Sequence, residues 1–283
     1  MNKDVSLILL THKSKNLVIE YIKDLYGKLQ IIIIDNSNDL ELKKIIKEKY
    51  PLVNMHLIEN NGYGAAINYG SKFVDTEYFL ISNPDLKGIN EESIEIFINA
   101  SRKLQNKFSV LGPRYLNVDP RTLKQSKYDK DISEMRFLSG ACMFFNKKKF
   151  DLIGGFDENI FLYFEENDFC KRSIQYDKNY QINNVQVNHN AGNSVSLTND
   201  KEIQDQRNLR SWHFVWSKFY YYKKNYNFIF AIIIFIPIII RTGSKILYYY
   251  IKKDQTNYLK YQNRWSGMLA SIKCEKSYKR PNF

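Results

Sequence analysis

Residues 4–39 read DVSLILLTHKSKNLVIEYIKDLYGKLQIIIIDNSND, and their order of apolar run, polar turn, helical pattern and second apolar run decides the fold class. VSLILL (5–10) and QIIIID (30–35) are short and almost continuously apolar, as expected of strands covered on both faces. Between them, Asn16 to Leu25 carries a helix-like pattern. The alternation continues outward: Leu40 to Lys49 predicts a helix, VNMHLIE (53–59) a strand, Ala65 to Phe73 a helix and EYFLIS (77–82) a strand. Ile94, Phe97, Ile98, Ser101 and Leu104 then fall at i, i+3, i+4 spacing on one helix face. Strands of this kind joined by helices, as far as about residue 113, predict a parallel sheet covered on both faces and an α/β fold.

Beyond residue 113 the simple alternation stops. MRFLSGACMFFN (135–146) reads as a strand, IGGFDEN (153–159) as a glycine-rich turn, FLYF (161–164) as an aromatic run, and Glu165-Glu166-Asn167-Asp168 as an acidic helix start. YQINNVQVNH (180–189) reads as another strand, followed by Asn190 to Ser194. No repeat or low-complexity linker interrupts the chain, so residues 1–200 read as one domain and 201–283 as a helical tail.

Charge separates the same two parts. Residues 1–200 hold 26 Lys and Arg against 26 Asp and Glu, whereas residues 201–283 hold 16 against 4, so the whole excess of +12 lies in the tail. Trp212, Trp216, Phe219 to Tyr222 and Tyr248 to Tyr250 interleave there with Lys223, Lys224, Lys252 and Lys253, which suggests a polyanion or a lipid surface. Cys142, Cys170 and Cys274 are odd in number and form no CxxC pair, which argues against a disulfide framework or a cysteine zinc site and fits a reducing cytosol. The N-terminal apolar run reads as a first strand rather than an export signal. Gly62-Tyr63-Gly64 lacks the third glycine of a dinucleotide fingerprint, and no P-loop, nucleophile elbow or HExxH occurs.

In a sheet of this class the ligand sits beyond the carboxyl ends of the strands, where the loops diverge. Four such ends carry polar clusters: Thr11-His12, Asp35-Asn36-Ser37, Asn60-Asn61-Gly62 and Asn83-Pro84-Asp85. Any one of them is an ordinary turn former; four together point to a binding crevice. Asp85, held by Pro84, could bind a hard divalent cation of the kind that neutralises a diphosphate, and His189 joins it only if the fold brings the two together. Glu165, Glu166 and Asp168 either complement a helix dipole or form a crowded group that raises one carboxyl into the range of a general base.

On LLTHKSKNL (9–17), IIIIDNSND (31–39), NNGYGAAINYG (60–70), ISNPDL (81–86), the long block 138–172 and HNAGNS (189–194), the chain resembles the inverting, GT-A-fold glycosyltransferases of family 2, specifically their bacterial rhamnosyltransferase-like branch. The resemblance implies a Rossmann-like nucleotide-sugar fold. It implies that Thr11, Asp35, Asn61 and Gly62 bind the nucleotide and that Asn83 and Asp85 stand where the family has its DxD motif. It further implies that Asp85 and His189 hold Mg²⁺ or Mn²⁺ and that Glu166 is the catalytic base. Asn83 replaces the first Asp of DxD, and Glu166 stands where Asp is commoner. The implied partners are a nucleotide-sugar donor, dTDP-rhamnose or a UDP-sugar, and a lipid-linked or glycan acceptor hydroxyl.

The tail lies outside the resemblance. Its most apolar stretch, FIFAIIIFIPIII (228–240), would cover only ~20 Å as a helix against roughly 30 Å of hydrocarbon, and Arg241 and Lys245 follow it. The expectation is an interfacial helix on the cytoplasmic face of the membrane, with a buried packing helix as the alternative. A nucleic-acid-binding role for the basic tail is the competing function, opposed by the neutral first 200 residues and the lack of any nucleic-acid motif. A catalytically inactive scaffold of the same fold is opposed by the presence of Asp85, Glu166 and His189.

Overall fold

Strand β1 (Asn2–Thr11) runs parallel to β2 (Leu29–Asp35), with Leu7 opposite Ile31 and Thr11 opposite Asp35. This computed structural model describes residues 2–119, 125–127, 130–189, 195 and 199–281. The chain divides into two compact units, Met1–Phe156 with Phe169–Ser196, and Asp157–Asp168 with Leu197–Phe283.

In the first unit, α1 (Lys15–Lys23) joins β1 to β2, and α2 (Leu40–Lys49) joins β2 to β3 (Val53–Leu57). Helix α3 (Tyr63–Ser71) leads to β4 (Tyr78–Ser82), the short β5 (Leu86–Lys87) and α4 (Glu91–Lys103). Then come β6 (Val110–Tyr115), β7 (Ile132–Met135), β8 (Cys142–Asn146), α5 (Lys147–Ile153), α6 (Glu165–Ser173), whose residues 165–168 fall in the second unit, and β9 (Asn179–His189). The sheet order is β3-β2-β1-β4-β8-β6-β9-β5, with β7 also paired to β9. Alternation along the strands splits the core between the two faces. Leu7, Leu9, Ile31, Ile33 and Leu80 pack with Val18, Ile22, Phe97 and Ile98 on one side, while Ile8, Ile32, Ile34 and Ile81 pack with Ile67, Phe150 and Phe169 on the other.

The α/β class, the first seven elements and α4 match the expectation; the short β5 was not predicted, and the second half departs from simple alternation. β3, β2, β1 and β4 form the expected parallel run; beyond it β8 is antiparallel to both β4 and β6, whereas β6 and β9 are parallel, so the whole sheet is mixed. MRFLSGACMFFN is not one strand: β7 ends at Met135 and β8 starts at Cys142. The backbone between them bonds elsewhere, the Gly140 carbonyl accepting from the Tyr63 hydroxyl at 2.7 Å and the Ala141 carbonyl from the Asn83 N–H at 2.9 Å.

The second unit holds α7 (Asp200–Asn225), α8 (Phe228–Ile251) and α9 (Gln255–Ile272). Each starts on a side-chain cap, Asn199 to Glu202 N–H, Asn227 to Phe230 N–H and Asp254 to Asn257 N–H. Val215 and Phe219 of α7, Ala231 and Phe235 of α8 and Met268 of α9 form their common core. Helix α8 is longer than the apolar run that announced it: its 24 residues reach about 36 Å, so by length and composition alone it could cross a membrane. It is not the buried packing helix either, because Ile229, Ile233, Ile236, Ile240, Leu247 and Ile251 are exposed.

The turn at Gly154-Gly155 supplies a paired test of the fold. Both glycines are left-handed, with φ of +86° and +64°, but a Cβ on Gly154 meets nothing within 4 Å whereas one on Gly155 lands 2.6 Å from Asn68 Oδ1. Asn68 is engaged there, accepting from the Phe156 N–H and donating to the Phe156 carbonyl, both at 2.9 Å. Gly154→Ala is expected to cost about 1–2 kcal/mol for the backbone alone. Gly155→Ala should cost at least about 1 kcal/mol more, because Asn68 must yield. Urea denaturation of the two variants measures the difference, and equal losses would show that Asn68 gives way without cost.

Candidate active site

The carboxyl edge of the parallel strands gathers the polar clusters, because Thr11, Asp35 and Leu57 pair in register across β1, β2 and β3. His12 Nδ1 lies 2.8 Å from Asn36 Oδ1, and the Asn36 amide donates to Asn60 Oδ1 at 3.1 Å. The Gly62 N–H reaches the same oxygen at 3.3 Å, so one chain of contacts crosses three strand ends. Gly62 caps α3 at φ +109°, a conformation that favours glycine. Asn61 beside it is exposed, its own N–H turned back to the Glu59 carbonyl.

Thr11 and Asp35 are both buried, yet they differ in what they have to offer. Thr11 Oγ1 makes no hydrogen bond. The Asp35 carboxylate accepts from the Ser37 N–H at 3.0 Å, the Ser37 hydroxyl at 2.9 Å and the Asp39 N–H at 3.0 Å, so it shapes the turn after β2. Beside that turn lies a cleft of about 290 Å³ lined by Lys13, Lys15, Asn16, Ser37 and Asp39.

The pairing of β5 with β9 sets Leu86 opposite His189 and so brings Asp85 to the imidazole. Asp85 Oδ1 is 3.4 Å from His189 Nε2. Asp85 is buried, and neither of its oxygens accepts a hydrogen bond, an expensive state for a carboxylate unless something cationic completes it. Asn117 fixes the histidine backbone, accepting from its N–H at 2.9 Å and donating to its carbonyl at 3.2 Å. One carboxylate and one imidazole suit a single divalent cation whose remaining ligands come from a bound molecule. Among the described residues no group of three or more His, Cys, Asp or Glu could hold a metal by itself. Asn83 lies half-buried before Pro84, and the part of the HNAGNS motif at 190–194 lies outside the described residues.

The acidic cluster belongs, through Asp168, to the second unit, and its three acids have three environments. Asp168 is fully buried and accepts from Lys224 Nζ at 2.9 Å and from the Asn225 amide at 3.1 Å. Lys224 also reaches Asp157 at 2.6 Å, where the Tyr220 hydroxyl donates at 3.0 Å. Burial raises the Asp157 carboxyl, but the Lys224 and Asn159 hydrogen bonds outweigh it and hold the group below its ordinary value. Glu165 is buried with Oε2 unpartnered; burial first, then the charge of Glu166, pushes its pKa well up. Glu166 is half-buried, accepts from the Asn167 amide at 2.9 Å, and is raised by burial to about 7.

Tyr163 and Phe164, just before this pair, both sit at positive φ, +68° and +71°, which is strained for aromatic residues. They are held by the Phe214 and Tyr221 rings, and by Ser217, whose hydroxyl donates to the Leu162 carbonyl at 2.9 Å. Tyr220, Lys224 and Asn225 were not foreseen: the sequence places Lys224 in a basic aromatic stretch, and nothing local marks it as the partner of two carboxylates far back in the chain. Arg114 and Arg172, by contrast, are structural, Arg172 donating to the Ile153 and Gly155 carbonyls at 2.8 and 2.6 Å and Arg114 donating to Asn183 Oδ1 at 3.3 Å.

A mixed sheet of this order with helices on both faces has the fold of the GT-A glycosyltransferases. Residues 6–230 match the family described as Glycosyl transferase family 2, and the chain belongs to that family. It is 26% identical over 216 residues to the low-salt glycan biosynthesis hexosyltransferase Agl10 of Haloferax volcanii, covering 66% of each chain. It is 23% identical over 190 residues to the N-acetylglucosaminyl-diphospho-decaprenol L-rhamnosyltransferase of Mycobacterium tuberculosis, covering 51% of this chain and 60% of that one. The chain thus spans about two thirds or less of the length of these relatives. Among solved structures, the mannosyltransferase PcManGT from Pyrobaculum calidifontis, in complex with GDP-Man and Mn²⁺, aligns over 96% of this chain and 88% of its own, with a TM-score of 0.58 and 14% identity.

The unsatisfied Asp85 carboxylate carries an expectation of unusual sign. Without metal, Asp85→Ala should leave Tm unchanged or raise it, because a buried carboxylate without hydrogen bonds is removed. With UDP and Mn²⁺ in excess, wild-type Tm should rise by linkage while that of Asp85→Ala should not. Differential scanning calorimetry with and without EDTA measures both, and an equal rise in the two proteins would remove Asp85 from the metal site.

Proposed function

We propose that the protein transfers a sugar, with inversion, from a nucleoside-diphosphate sugar to a hydroxyl of a lipid-linked or glycan acceptor in surface polysaccharide synthesis. The observation that carries this reading is the buried Asp85 carboxylate, bare of hydrogen bonds and set against His189 at the carboxyl edge of the sheet. Asp85 and His189 would hold Mg²⁺ or Mn²⁺, and the ion when bound offsets the charge that develops on the leaving diphosphate. The imidazole tilts the choice toward Mn²⁺, the ion present with the Pyrobaculum enzyme. Thr11, Asn61, Gly62 and Asn83 would hold the nucleotide and sugar, with Asp35 contributing through the turn it organises. Glu166 would take the proton of the attacking hydroxyl, since a carboxyl near 7 is half ionised and the more basic for its raised pKa at neutral pH.

Rhamnose, from dTDP-rhamnose, is the donor sugar of first choice, supported by the name of the Mycobacterium relative, with UDP-sugars next. The same name supports a lipid-linked acceptor. Nucleotide release across a panel of dTDP-, UDP- and GDP-sugars, with Mn²⁺, Mg²⁺ or EDTA, tests the reading. Turnover that is indifferent to EDTA would overturn the metal assignment, and no turnover or binding with any donor would overturn the function.

The tail is assigned to the cytoplasmic face of the membrane, with no role in nucleic-acid binding. A spanning α8 would carry its partner α9, with Asn257, Lys260, Gln262 and Arg264, into hydrocarbon. An α8 lying in the interface instead buries Ile229, Ile233, Ile236 and Ile240 and lets Lys245 and Lys252, which lie over Tyr248 at 4.9 and 5.4 Å, reach the headgroups. Ile233→Asp with Ile240→Asp should release the full-length chain from phosphatidylglycerol vesicles in a sedimentation assay. Sedimentation equal to wild type would show that this face is not the contact.

Two glutamates remain to be told apart by rate. Losing a positioned base costs roughly 10²–10⁴-fold, so Glu166→Gln should lower kcat by about that factor at saturating donor with donor affinity nearly unchanged. Glu165→Gln should do less. In wild type, kcat should climb with pH through about 7 and then level, because the base is protonated below its raised pKa. A flat profile between pH 5.5 and 8.5, or greater damage from Glu165→Gln, would sink the assignment.

A further inference from the structure

Helix α7 carries Arg207, Arg210, Phe214 and Lys218 at steps of three, four and four residues, which places all four within an arc of about 80° on one face. Among the described residues none of these three cations has a carboxylate partner or a hydrogen bond to protein. That is not the habit of this helix: farther along it, Lys224 is matched to both Asp157 and Asp168. Arg210 and Lys218 are half-buried, Arg207 is exposed, and burial lowers the Lys218 pKa with no acid nearby to restore it.

The stripe runs along the segment that carries the proposed base. Phe214, between Arg210 and Lys218, meets the Tyr163 ring at 5.6 Å and the Phe164 ring at 5.8 Å, immediately before Glu165 and Glu166. Ser217, next to Lys218, donates to the Leu162 carbonyl. Burial raises the Tyr163 phenol, the Arg210 charge opposes that rise, and Glu165 and Glu166 add to it, so all three charges are felt at one phenol. All of these residues lie in the second unit.

Half-buried cations that no carboxylate pairs with can take an anion from outside, and guanidinium and ammonium groups placed together suit phosphate oxygens. If Glu166 takes the acceptor proton, the acceptor must lie against this segment, and the anion beside it is part of the acceptor. We propose that Arg210 and Lys218, with Arg207 at the outer end, bind the phosphate or diphosphate that links the acceptor sugar to its carrier. This rests on the reading of Glu166 as the base. It names a phospho-linked acceptor as the substrate class, in place of a free glycan.

The test measures binding, so that it does not depend on turnover. Full-length protein carrying Asp85→Ala is titrated calorimetrically in EDTA with decyl diphosphate and with decyl glucoside; the absent carboxylate and metal keep the diphosphate from the strand-end pair. Decyl diphosphate should bind, and adding Arg210→Gln and Lys218→Gln should weaken it about tenfold or more, the loss expected for charge-assisted contacts, with decyl glucoside unaffected. Lys218→Arg should retain binding, and unchanged thermal unfolding of the variants separates lost contacts from lost fold. No binding, or equal affinity in the glutamine variants, overturns the proposal. Two further arms use protein with Asp85 intact. If the glutamine pair instead weakens UDP binding with Mn²⁺, the stripe serves the donor; if it releases the protein from phosphatidylglycerol vesicles, the stripe is a headgroup site. Either result overturns the acceptor assignment, while the rate test of Glu166 stands or falls separately.

Discussion

The parallel ladders that hold β1 between β2 and β4 are the constraint on which the first unit depends. Leu7 and Leu9 pack on one face and Ile8 on the other, and both faces are dry, so a slip of one residue would exchange two sets of fully buried side chains. Register fixed from both faces delivers Thr11 and Asp35 side by side at the edge, and Ser82 one step before Asn83-Pro84-Asp85. The two-residue pairing of β5 with β9 then does for His189 what the long ladders do for the other strand ends. The edge chemistry is a consequence of strand register, and loop conformation refines it through contacts such as His12 to Asn36 and Asn36 to Asn60.

In the second unit the corresponding constraint is electrostatic. Segment 157–168 carries two aromatic residues at positive φ, each costing roughly 1–2 kcal/mol, and must be held against relaxation. Lys224 does this by bonding to Asp157 at one end of the segment and Asp168 at the other. A fully buried Asp168 left without its lysine would be an uncompensated charge, so the interaction is stronger in its breaking than in its making. Lys245 and Lys252, over Tyr248, stand outside any carboxylate pair among the described residues.

The sequence was most informative where periodicity and burial agree. The strands and helices as far as α4, apart from the two-residue β5, were legible because each repeats a single rule, continuous apolar runs for strands buried on both faces and i, i+3, i+4 spacing for helices. The break between Met135 and Cys142 was not, since hydrophobicity says nothing of carbonyls drawn off by Tyr63 and Asn83. Asp85 with His189 was legible only as a condition, to be met if the fold joined them, and β5 with β9 meets it. Asp35 showed its strand-end position but not that its oxygens are spent on Ser37 and Asp39. The partnership of Lys224 was hidden because ion pairs between residues more than fifty positions apart leave no local pattern.

Three acids within the first turn of α6 show how environment divides roles that composition leaves equal. The positive end of the helix dipole favours one negative charge at this site but does little to support several packed together. Asp168 is compensated by Lys224 and Asn225 and is committed to structure. Glu165 and Glu166 point about 100° apart on the helix, so they do not share one environment. Glu165, with a buried oxygen that accepts nothing, is the more costly of the two to ionise, and a charge on Glu166 makes it costlier still. Glu165 is thus pushed up by burial and by the charge of Glu166, and Glu166 by burial. Glu166, half-exposed and raised by burial to about 7, is the better suited of the two to exchange a proton near neutrality. The order of the two glutamates along the helix therefore matters more than their number, because about 100° of rotation sets the half-exposed carboxyl apart from the buried one.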